Sequence, residues 1–82
     1  MDHVKFRRLS LDDQLVTVMT HGILLMACRK YNLVIRLFAL GSFYVEVISN
    51  TKTKDVVTIT VYEDVNSLDH LLEEIDITDL TV

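Results

Sequence analysis

The sequence predicts an α+β domain: a three-stranded antiparallel meander in the chain order α-β-β-β-α, with the helices packed mainly on one face. Three observations carry this reading. Apolar residues recur with a helical period over 11–30. From Leu33 the period falls to 2 while β-branched and aromatic residues accumulate. A second helical stripe, Leu68, Leu71, Leu72 and Ile75, follows the strands. Eighty-two residues hold one small core, so 1–82 reads as a single domain. Half of the residues are hydrophobic, which excludes general disorder. The absence of proline, with two glycines and one cysteine, excludes collagen-like, linker-like and disulfide-stapled designs.

The first helix is announced by Ser10-Leu11-Asp12-Asp13, where the Ser side chain can accept the backbone N–H of Asp13 and the acid can reach back. The pattern predicts a helix over Leu11–Lys30. Leu15, Met19, Gly22, Ile23 and Met26 form its core stripe, with Asp13, Thr17, Thr20 and His21 opposite. Gly22 stands in that stripe although glycine there costs about 1 kcal/mol relative to Ala, which points to a close approach by another backbone. Arg29 and Lys30 suit the helix end, where cations oppose the dipole.

Three strands follow, Leu33–Ala39, Phe43–Ser49 and Val56–Tyr62, joined by Leu40-Gly41-Ser42 and by residues 50–54. A three-residue first turn pairs Leu37 with Val45, Ile35 with Val47 and Arg36 with Glu46. A five-residue second turn pairs Val47 with Val57 and Val45 with Ile59. One face is then Leu33, Ile35, Leu37, Phe43, Val45, Val47, Val57, Ile59 and Val61, the side that a helix covers. The last helix starts at Asn66 or Ser67, either of which can cap. The tail 77–82 alternates weakly and reads as an edge strand or an extended cover.

The opposite sheet face carries the functional expectation. Beside Arg36, Glu46, Thr58 and Thr60 it presents Val34, Phe38, Tyr44, Ile48, Val56 and Tyr62, more apolar than a solvated face requires. Arg36, Phe38, Tyr44, Glu46 and Tyr62 are therefore the expected interface residues, facing a second copy of the chain or a protein partner. The alternative is that the tail, or Val4, Phe6 and Leu9, folds over this face.

No set of residues converges on catalysis, so the expectation is a non-enzymatic protein without cofactor or metal. His21 and Cys28 lie seven residues apart, roughly 10 Å along a helix axis, too far for a base to reach a thiol. The acids Glu63, Asp64, Glu73, Glu74, Asp76 and Asp79 lack the glycine of a calcium loop and read as solvated charges. Two isolated glycines cannot build a phosphate-binding loop.

The net charge of −4 argues against general nucleic-acid binding, although residues 1–42 carry +3 and residues 43–82 carry −7. Two alternatives stay open. A nucleic-acid-associated regulator would use Lys5, Arg7 and Arg8 around Phe6, together with Arg29 and Lys30, and a small-ligand sensor would need a polar-lined cavity. Leu15–Cys28, the most apolar stretch, has 14 residues, short of the roughly 20 of a membrane span. Residues 1–9 lack the pattern of a secretory signal, and the single thiol suits a reducing cytoplasm.

Gly22, Arg29-Lys30-Tyr31-Asn32, Arg36-Leu37-Phe38-Ala39-Leu40, Phe43-Tyr44-Val45-Glu46-Val47 and Leu68…Leu72…Ile75-Asp76-Ile77…Leu80 together resemble a family of short uncharacterised bacterial proteins over nearly the whole chain. The resemblance implies a small α+β fold of unknown function and brings no catalytic residue, cofactor or partner. It departs from the family before the third strand, where members often carry Asn and this chain has Lys54-Asp55.

Overall fold

The computed structural model describes residues 1–64. The expected last helix and tail lie outside the described residues. Two helices, α1 (His3–Arg8) and α2 (Leu11–His21), precede four strands, β1 (Ile23–Lys30), β2 (Leu33–Leu40), β3 (Phe43–Asn50) and β4 (Val56–Tyr62). The strands form one antiparallel sheet in the order β1-β2-β3-β4. The chain is thus α+β with an antiparallel meander, and the expected three strands are corrected to four.

Both helices begin on side-chain caps. Asp2 accepts the Lys5 N–H at 2.8 Å and starts α1, while Ser10 accepts the Asp13 N–H at 3.2 Å and starts α2, as the capping pattern predicted. α2 stops at His21, nine residues before its expected end at Lys30. Gly22 takes up extended backbone (φ −75°, ψ 149°), and its N–H donates to the Val18 carbonyl at 2.8 Å. The run Ile23–Lys30 is apolar enough to satisfy either period, and pairing with β2 along its length decides for strand. The close approach expected at Gly22 is real, but a Cβ there would meet the Val18 carbonyl of its own helix at 2.5 Å and the Phe38 ring at 3.3 Å.

Two tight turns set the register. Tyr31-Asn32 joins β1 to β2 and Gly41-Ser42 joins β2 to β3, each with its first residue in the left-handed region (φ 57° at Tyr31, 66° at Gly41). Leu40 pairs with Phe43, so the second turn has two residues and not the expected three. That single step turns β2 over, because side chains alternate with period 2. Phe38 then faces Val45 and Arg36 faces Val47 on the helix side, while Leu37 and Ile35 move to the other face.

In β4 the shift is two residues: Val47 pairs with Ile59 and Val45 with Val61, which leaves the faces as expected. A bulge between Ile48 and Ser49 then turns Val56 toward the core and leaves Val57 exposed. The β3–β4 loop is held by Asn50, whose Oδ1 accepts the N–H groups of Lys52 and Thr53.

The main core fills the space between helices and sheet with Phe6, Val18, Phe38, Leu40, Phe43, Val45 and Val47, flanked by Leu9, Leu15, Val56, Ile59 and Val61. Phe6 of α1 tilts onto Phe43 with ring centroids 5.6 Å apart. The Gln14 side chain donates to the Phe6 carbonyl at 3.0 Å and ties α2 to α1. Of the expected α2 stripe Leu15 packs inward, but Met19 is exposed and Val18 takes the central place. No helix among the described residues is long and apolar enough to cross a membrane.

Candidate interaction surface

The most exposed apolar surface gathers where α2 hands over to β1. Val16 and Met19, three residues apart on α2, are exposed. Gly22 then releases the chain into β1, where Ile23, Leu24 and Leu25 are 67%, 51% and 51% exposed. Among the described residues β1 borders the sheet, with β2 on one side only. A bulge between Leu24 and Met26 leaves Leu25 out of the ladder, while Ile23 and Leu24 pair in register with Ala39 and Phe38 and so stand on opposite faces, which leaves exposed apolar side chains on both faces at this end of β1. Beyond Leu25 the strand turns inward: Met26 and Ala27 are half-buried and Cys28 is buried, and Arg29 and Lys30 close the strand exposed.

The five expected interface residues are divided between the two faces. Arg36 and Phe38 lie on the helix side, and Phe38 belongs to the main core. Tyr44, Glu46 and Tyr62 lie on the opposite face, with Tyr44 directly across from Tyr62. There Cys28, Leu37 and Tyr62 form a second buried cluster with Met26, Ile35 and Tyr44 packed against it, and Glu46 is only 5% exposed. The expected Arg36–Glu46 pair is corrected: Arg36 opposes Val47, and Glu46 opposes Leu37 and Thr60.

The remaining candidates disperse. Arg7, one of the three clustered cations, lies 3.7 Å from Glu63, and the same carboxylate lies 3.7 Å from His3 Nδ1, which ties α1 to the end of β4 and dilutes the basic patch. Half-exposed contacts of this kind contribute at most about 1 kcal/mol. His21 ends α2 and Cys28 is buried within β1. Among the described residues no three His, Cys, Asp or Glu side chains gather as metal ligands. A shallow cleft of about 360 Å³ is lined by Met1, Thr17, His21, Leu40 and Gly41. The Thr17 hydroxyl donates to the Asp13 carbonyl at 2.8 Å, so it is already committed to its own helix.

The hydrogen bond from the Lys5 N–H, with a smaller contribution from the Lys5 charge, holds the exposed Asp2 carboxyl below its ordinary 3.8. It caps α1. The strip at Ile23–Leu25 was hidden in the sequence inside a continuous helical period. Gly22 before it and Tyr31-Asn32 after it, bracketing eight residues, were the signal for a strand.

Compared with protein families, with curated proteins and with solved structures, the chain matches none.

Proposed function

We propose that this chain is a non-enzymatic contact module of the cytoplasm that acts by assembling with a second copy of itself, and that it belongs with the short bacterial proteins its strand motif resembles. The observation that carries the contact reading is the strip Val16, Met19, Ile23, Leu24 and Leu25, five large apolar side chains each more than half exposed in one stretch of ten residues. Burying apolar surface is favourable by roughly 25 cal/mol per Å², so this many exposed apolar side chains close together in the chain support a contact reading. The buried thiol of Cys28 and the single cysteine suit a reducing compartment.

Mass by light scattering at low and at high salt tests the reading. A hydrophobic contact gives a dimer at both, whereas attraction between the +3 and −7 parts of the chain would fade as the Debye length falls to about 8 Å at physiological ionic strength. A monomer at every concentration overturns self-assembly.

A further inference from the structure

We propose that the end of the sheet where Tyr31 stands among Arg29, Lys30, Lys52 and Lys54 binds single-stranded nucleic acid. The site is separate from the apolar strip, and its chemistry does not depend on self-assembly.

Two loops distant in sequence meet at this end. β1 turns into β2 at Tyr31-Asn32 and β3 into β4 at residues 51–55, and Leu33, paired with both Lys30 and Asn50, sets the two loops side by side. Thr51 joins them, since its N–H and its hydroxyl both donate to the Asn32 carbonyl, at 2.8 and 3.1 Å. The topology thereby gathers four of the eight Lys and Arg of the chain, all exposed, against one exposed acid, Asp55. Among the described residues none of the four stands in an ion pair, whereas Arg7, at the other end of the sheet, lies beside Glu63. A polyanion approaching this end meets the local field of the cations and not the net charge of the chain.

Four cations alone would suit any polyanion, and Tyr31 narrows the class. Its side chain is part of a residue 88% exposed, so the ring adds nothing to the core. Its φ of 57° lies in the left-handed region, where Asn or Gly is at ease and a bulky residue is an outlier. Neither packing nor turn chemistry accounts for an aromatic here, and an observed backbone outlier of this kind points to function. An exposed ring flanked by cations is what a nucleic-acid base stacks on while neighbouring phosphates engage the charges. A single strand can splay out its bases to reach such a ring, whereas a duplex keeps their faces stacked. An acidic peptide would use the cations and leave the ring idle.

Fluorescence anisotropy of the full chain with a labelled oligouridylate of about twelve nucleotides, in ribose and in deoxyribose form, tests this between about 50 and 200 mM salt. The expected result is binding that weakens as salt rises, with a log–log slope of about −2 to −3, or about 0.7 for each phosphate engaged. The tighter of the two oligonucleotides tells RNA from DNA. Tyr31→Asn, which suits the left-handed turn, should weaken binding about fivefold or more with the slope unchanged, and Tyr31→Phe should bind like the parent. Lys52→Gln should lower the slope by about 0.7. Far-UV circular dichroism checks that each variant folds, and NMR amide shifts on binding should centre on residues 29–32 and 50–55. Absence of binding by the folded parent, shifts centred on Lys5 to Arg8, or equal binding by folded Tyr31→Asn overturns the site as drawn. Polyglutamate binding as tightly as the oligonucleotides and indifferent to Tyr31→Asn identifies an acidic partner and overturns nucleic acid.

Discussion

Arg36 and Glu46 lie on opposite faces of the sheet, Arg36 across from Val47 and Glu46 across from Leu37. The separation follows from Leu40 pairing with Phe43 around Gly41-Ser42. A double-mutant cycle with Arg36→Gln and Glu46→Gln should therefore close to within about 0.5 kcal/mol of additivity, because the side chains do not meet. Urea unfolding of the four proteins provides the values, and a coupling above about 1 kcal/mol would contradict the register.

Gly22→Ala should destabilise the fold. The added methyl meets the Val18 carbonyl at 2.5 Å and the Phe38 ring at 3.3 Å, and the carbonyl belongs to a helix whose last turn it helps to close. Overpacking of this kind typically costs about 1–3 kcal/mol. A shift of the urea midpoint to lower concentration at constant slope is the expected signature.

Phe6 is fully buried and is the buried residue of α1. Phe6→Ala should cost about 3–5 kcal/mol, a large share of what a domain of this size has to lose. Phe6→Leu keeps most of the volume and should remain folded, so the pair of melting curves separates loss of packing from loss of the chain's ability to fold.

Asp2 gives a pH dependence of known sign. Its carboxyl titrates lower when α1 is formed than when the chain is unfolded, so its contribution is present above the unfolded value and is lost as pH falls through the folded one. NMR titration should place the Asp2 midpoint below 3.8, with the Lys5 amide shifting in step. Asp2→Asn, which keeps a cap oxygen, should remove the titration while retaining α1.

The α+β character, the Ser10 cap, the interior of β3 and the core placement of Val45 and Ile59 were legible in residue pattern, because each rests on local chemistry or on strict alternation. β1 was not, since Ile23–Lys30 presents apolar residues at intervals that satisfy a helix as well as a strand, and only the pairing with β2 separates the two. Turn length was equally opaque: Leu40 fits a turn as well as a strand end. The two errors of register had unequal effects for a geometric reason. The one-residue slip at Gly41-Ser42 exchanged the faces of β2 and divided the expected contact residues, whereas the two-residue slip in β4 left Val45, Ile59 and Val61 on the side foreseen for them.

The order β1-β2-β3-β4 also governs how the chain reaches this state. Among the described residues every strand pairing joins neighbours in sequence, so this sheet can zip one hairpin at a time with little entropy lost to closing long loops. The contact of Phe6 with Phe43 is different, since it spans more than half of the described chain and requires β3 to be in place. If α1 docks only after β3 is in place, truncating Phe6 is expected to raise the unfolding rate more than it lowers the folding rate, which a chevron plot of Phe6→Leu would read.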